Sequence, residues 1–174
     1  LVRKDYIKYY ISAFLLAISL TEVISYLIWF ELIEPFKNAS VENPTPFMSH
    51  ISYNPILAFA IYLVLHEIFF NKKMINLVFS LYSFFAVSMT INMFITGGRA
   101  GQVTFFVMLS ILIFQILEKQ RIKSIITILI VMPGIFFTAY QTSHLFQDRV
   151  TAAVTNIVQY DDNQYSAVGL RIYF

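Results

Sequence analysis

The chain has 174 residues, 58% of them apolar and 17% aromatic, with only 13% charged and no cysteine. An average soluble domain is about 45–50% apolar and about 25% charged, so too few charges are present to cover a surface in water, and the apolar surplus must face lipid. A net charge of +2 gives no reason to expect nucleic acid, and the lack of cysteine excludes disulfides, thiolate metal sites and a cysteine nucleophile.

A membrane-spanning helix needs about 20 mostly apolar residues, and charge-poor windows of nearly that length recur along the chain. The first covers residues 11–30 and is broken only by Glu22; the second covers 51–70, with His66 and Glu67 at its far end. The third, 74–96, has no charge. The fourth, 100–117, is short and follows Gly97-Gly98-Arg99-Ala100-Gly101, a glycine-rich break that lets backbone turn sharply or approach a neighbour closely. The fifth, 124–140, contains Pro133-Gly134, where a kink is expected. These five spans form a membrane domain over residues 1–140.

Residues 141–165 differ in texture. Phe146, Val150, Ala153, Val154, Ile157 and Val158 repeat at helical spacing against Asp148, Arg149, Thr151 and Asn156, the pattern of an amphipathic helix lying at the membrane interface. Asp161-Asp162-Asn163 is expected to end it, and Ser166 to cap a helix over 166–174 that carries Arg171 and begins a sixth span. The expected fold is therefore an all-α polytopic membrane protein: five transmembrane helices, a periplasmic amphipathic helix and the start of a further span. Opening on Leu1 and stopping on Phe174, the chain reads as a fragment of a longer protein.

Orientation follows from Lys and Arg in the short loops, which are enriched on the cytoplasmic side. Arg3, Lys4, Lys8, Lys72, Lys73, Lys119, Arg121 and Lys123 all fall on one side. That side is expected to be cytoplasmic, which puts residues 31–50, the Gly97–Gly101 turn and everything after Tyr140 outside. Lys37, Arg99, Arg149 and Arg171 are the basic residues there. Three of these four are arginines at membrane boundaries, against the positive-inside bias. Arginine carries a rigid, permanently charged fork that pairs bidentately with phosphate oxygens, so this set points to an anionic ligand such as the diphosphate of a lipid carrier. The alternative for each is an arginine snorkelling to lipid headgroups.

The run Thr96-Gly97-Gly98-Arg99-Ala100-Gly101 opening an apolar helix, then Asp148-Arg149 after the next span, then Ser166-Ala167-Val168-Gly169-Leu170-Arg171, resembles the O-antigen ligase and polymerase superfamily. His50-Ile51-Ser52-Tyr53-Asn54-Pro55 is similar to the ligase side of that family. The resemblance implies a multi-pass inner-membrane glycosyltransferase working on its periplasmic face without a metal or other cofactor. It would take a glycan from undecaprenyl diphosphate and pass it to lipid A-core or a similar acceptor. Arg99, Arg149 and Arg171 would line the donor site with Gly98, and His50 would contribute to substrate binding. A large periplasmic loop with an acceptor-serving histidine would follow Phe174, so this chain alone is expected to be inactive. The alternatives are an O-antigen polymerase, or a non-enzymatic transporter or export scaffold for anionic lipids.

Chemistry agrees with this reading: breaking a sugar–diphosphate bond develops negative charge on the leaving group, which preorganised arginines stabilise in a water-poor site. No convincing general base is present. His144, near Arg149, reads as interfacial, His50 as a helix-start residue, and His66 as cytoplasmic. Glu22 lies inside a span, where an ionisable group is costly, and a hydrogen bond to a neighbouring helix is preferred over catalysis. Asp161-Asp162 reads as a helix-ending loop, Asn38-Ala39-Ser40 as a chance sequon, and Tyr9, Tyr10, Trp29, Phe30, Phe69 and Phe70 as interfacial aromatics.

Overall fold

The computed structural model describes residues 4–37, 39–96, 98–142 and 144–158. These fold into α1 (Lys4–Trp29), α2 (His50–Phe70), α3 (Asn76–Ile95), α4 (Arg99–Ile116), α5 (Arg121–Thr142) and α6 (His144–Val158), with no strand among the described residues. Four of them, α1, α2, α3 and α5, are long and apolar enough to cross a membrane. The regular structure of the described residues is thus all helical, with four helices that could span a membrane. Its fourth apolar helix, α4, has 18 residues, about 27 Å at 1.5 Å per residue. Residues 159–174, which hold Asp161-Asp162, Ser166 and Arg171, lie outside the described residues, as does Asn38.

Exposure separates these helices from those of a soluble protein. Leu16, Leu20 and Val23 on α1, Leu77 and Phe84 on α3, and Leu129 and Ile130 on α5 are all largely exposed. A helix that stays apolar on its outward face is one whose surroundings are hydrocarbon. Tyr9, Tyr10, Phe30, Phe69 and Phe70 are exposed near helix ends, where aromatic side chains suit the lipid–water boundary.

The central element is α2, which packs most extensively on α4 and next on α3. Tyr53, Asn54, Leu57, Ala58, Ala60, Ile61 and Val64 of α2 are buried. The small side chain of Ala58 lets backbones approach, which matters because lipid supplies no hydrophobic drive between helices and association rests on close packing and polar contacts. Side-chain partners fix the directions: α2 and α4 run parallel, Asn54 touching Gly101 and Tyr62 donating to Gln115 Oε1 at 3.0 Å. α1 runs parallel to α3, with Glu22 opposite Ser88 and Ser25 opposite Asn92. Trp29, His50, Ile95, Arg99 and Thr142 therefore gather at one end, and Phe70, Asn76, Ile116 and Arg121 at the other.

Two local features of the backbone have sequence causes. α1 ends with Leu32 N–H donating to Leu27 O at 2.8 Å and Glu31 N–H to Ile28 O at 3.0 Å, a Schellman closure in which Glu31 takes the left-handed position (φ 58°) usually held by glycine. The expected kink site at Pro133-Gly134 lies within a helix assigned without a break from Arg121 to Thr142.

Candidate functional site

The α3–α4 break is organised by one buried amide. Asn54, fully buried on α2, donates through Nδ2 to Thr96 O at 3.2 Å, Met93 O at 3.4 Å and Gly98 O at 3.5 Å. Its Oδ1 accepts from Thr96 Oγ1 at 2.6 Å. Where α3 ends and α4 begins, carbonyls lose their helical donors, and in lipid each would otherwise be costly. Asn54 supplies the donor from a neighbouring helix.

This arrangement explains two glycines of the motif. A Cβ on Gly98 would lie 2.5 Å from Asn54 Nδ2 and 2.7 Å from His50 O. One on Gly101 would overlap Asn54 Cβ and stand 2.5 Å from the Asn54 carbonyl carbon, a backbone atom that cannot swing away. Glycine is required here for close approach, since neither residue has a positive φ.

The predicted site residues are distributed as follows. His50 is the first residue of α2 and half-buried, Gly98 is the buried residue capping α4, and Arg99 is the first residue of α4. The contact of Gly98 with His50 O brings these three together. Arg149 lies on α6, whose first turn is fastened to the same end: Phe146 is buried, meeting Phe94 edge-on at 5.4 Å and Phe136 at 5.2 Å, while Gln147 Nε2 donates to Tyr140 O at 2.7 Å. Val150 also packs on the core, whereas Val154 is exposed. Arg171 lies outside the described residues. His66 sits in the last turns of α2, at the opposite end, stacked on Phe70 at 4.5 Å.

Because α2 and α4 are parallel and their first turns touch, two helix N-termini open side by side at this end. A helix N-terminus presents N–H groups that have no partner within the helix and the positive end of the helix dipole, both favourable to an anion. An apolar groove of about 950 Å³ lies nearby between α1, α3 and α5, lined by Trp29, Phe94, Ile95, Gly134, Thr138 and Thr142 among others. Gly134 leaves that groove open, with no atom within 4 Å of where a Cβ would be.

A second polar cluster joins α1 and α3. Ser88 Oγ donates to Glu22 Oε1 at 2.6 Å, Tyr26 Oη donates to Ser88 O at 2.8 Å, and Asn92 Nδ2 donates to Ser25 Oγ at 2.9 Å. Glu22 does bond to a neighbouring helix, as its position in a span suggested. The residues that sequence reasoning left without a role are Asn54, Thr96, Asn92 and Ser25. Their signal was present as Ser88, Asn92 and Thr96, polar residues spaced four apart over the last turns and the cap of α3 and so on one face. Comparison with protein-family models, curated proteins and solved structures finds no match to this chain.

Proposed function

We propose that this chain forms part of a metal-independent membrane glycosyltransferase that passes a glycan from undecaprenyl diphosphate to an acceptor on the periplasmic face, most closely an O-antigen ligase acting on lipid A-core. In this reading α4 is a fifth, short span, α6 lies at the periplasmic interface of the inner membrane, and the lysine-rich connections face the cytoplasm. The observation that carries it is the meeting of His50, Gly98 and the start of α4 at Arg99, with α6 and Arg149 fastened to that same end. Two adjacent helix N-termini add positive potential where the diphosphate would sit. The apolar groove beside them suits the carrier's hydrocarbon tail.

Within this mechanism the arginines hold the diphosphate and stabilise the charge that grows on it as the sugar bond breaks. The proton of the acceptor hydroxyl passes to a base beyond the described residues. The test is glycan transfer by the full-length protein carrying Arg99→Ala, Arg149→Ala or Arg171→Ala at normal membrane levels. Removing one such donor typically costs roughly 100-fold to 1,000-fold in rate. Full activity in all three variants would leave the arginines as lipid anchors. The rival reading, a transporter for anionic lipids, draws on Glu22, since buried ionisable groups within spans mark ion and substrate paths.

A further inference from the structure

The α1–α3 cluster and the neighbouring α2 hold more oxygen than their hydrogen bonds use. Tyr53 Oη and Asn92 Oδ1 are both fully buried and have no hydrogen-bond partner among the described residues. Native interiors rarely leave such atoms unpaired, and each that is left unpaired asks for a ligand. Asn54, next to Tyr53, donates to Met93 O, next to Asn92, so the two residues stand at one level of the α2–α3 seam. Asn92 is tied to Ser25, and Ser25 lies one turn from Glu22 on α1.

Around them stand Glu22, which is 3% exposed, and Ser25, which is fully buried. The Glu22 carboxyl group accepts one bond from Ser88. Every described Lys and Arg side chain is exposed, so none of the described basic side chains neutralises this carboxylate from within the bundle. A buried charge without a partner is strongly disfavoured.

We propose that Glu22, Ser25, Tyr53 and Asn92 form a binding site for a small monovalent cation of sodium type, held between α1, α2 and α3. The donor set selects its guest. All the ligands are hard oxygens, which suits alkali and alkaline-earth ions, and among the described residues no cluster of His, Cys, Asp or Glu offers the softer or more acidic set that a transition metal would take. A single carboxylate balances one positive charge; calcium or magnesium would bring an uncompensated second charge into hydrocarbon. The Asn92 carboxamide and the Tyr53 hydroxyl direct their free oxygens at the ion, and the Ser25 hydroxyl keeps a lone pair for it while accepting from Asn92. Bound there, the ion ties three helices together, so its occupancy governs how firmly α1 is held to the rest. The site is independent of the arginine end and of any transferase activity.

The experiment uses the full-length protein in nanodiscs at one mildly alkaline pH. Radioactive sodium binding, measured by equilibrium dialysis against excess choline chloride, should be saturable and approach one ion per chain. Sodium should also raise the thermal unfolding midpoint by several degrees over choline at equal ionic strength, as a ligand selective for the folded state must. Glu22→Gln should abolish both effects, and Tyr53→Phe, which keeps the ring, should raise the sodium concentration for half-saturation roughly tenfold, the weight of one lost hydrogen-bonding ligand. Absence of saturable sodium binding by the wild-type protein would overturn the site, leaving water as its occupant. Binding that persists unchanged in Glu22→Gln and Tyr53→Phe would place the ion elsewhere and overturn it equally.

Discussion

Replacement of Asn54 tests whether one buried amide holds the α3–α4 break. Asn54→Ala removes the donor shared by Thr96 O, Met93 O and Gly98 O and the acceptor for Thr96 Oγ1. The loss is partial at each group. Thr96 O retains Gly98 N–H, Gly98 O retains Gly101 N–H and Gln102 N–H, and Thr96 Oγ1 keeps Asn92 O within 3.1 Å. A buried polar group left wholly unsatisfied costs about 1–3 kcal/mol, and the space vacated by a carboxamide adds roughly 1 kcal/mol, so Asn54→Ala should destabilise by about 3 kcal/mol. For a chain of this length that lowers the unfolding midpoint by about 6–12 °C. Asn54→Asp is the sharper variant. It keeps the shape but turns two N–H donors into an oxygen facing three carbonyl oxygens, and should be worse than alanine by at least about 1 kcal/mol. Thermal unfolding of the purified protein in mild detergent measures both. If Asn54→Asp were as stable as Asn54→Ala or more so, donation by Asn54 would not be what holds the break.

Gly101→Ala should destabilise by about 1–3 kcal/mol, because its methyl group meets Asn54 backbone and the α2–α4 seam must spread; a midpoint unchanged within error would contradict the packing. Glu31→Gly should stabilise by roughly 0.5–1 kcal/mol, since glycine takes the left-handed position without the clash of a side chain, and a lower midpoint would refute that account. Single cysteines at positions 40, 72, 120 and 163 should label from the periplasm of intact cells at 40 and 163 only; labelling at 72 or 120 would reverse the proposed orientation. Arg99→Lys should impair transfer almost as badly as Arg99→Ala, because the charge survives but the bidentate fork does not. Transfer by the full-length protein should persist in excess EDTA, and its loss with rescue by magnesium would refute the arginine-only mechanism.

The sequence marks the helices of this protein more clearly than the contacts between them. Apolar windows placed α2 and α4 within a residue or two at each end, because the length of a hydrocarbon crossing is set by the bilayer and appears directly in composition. α1 starts earlier than its apolar window, at Lys4, since Tyr6, Lys8, Tyr9 and Tyr10 are helical while mixing polar and aromatic character. Of the candidate site, Gly98 and Arg99 stood out as a glycine-rich break before an apolar run. What could not be read was the partner of that break. Asn54 lies far upstream, and only the fold brings its amide to Thr96 and Gly98.

The stripe Ser88, Asn92 and Thr96 shows why such partners escape a reading along the chain. Polar residues spaced four apart announce that one face of α3 is not presented to lipid, yet α1 and α2 were equally available as neighbours. The structure divides the stripe between them: Ser88 and Asn92 bond to Glu22 and Ser25 of α1, and Thr96 bonds to Asn54 of α2. Where hydrocarbon surrounds every helix, apolar area cannot discriminate among partners, so these few directional bonds set which helices meet and in what register. The same bonds terminate at Gly98, immediately before Arg99. Thr96, whose hydroxyl lies 3.1 Å from Asn92 O and donates to Asn54 Oδ1 at 2.6 Å, is the residue through which α3 is set in register on α2.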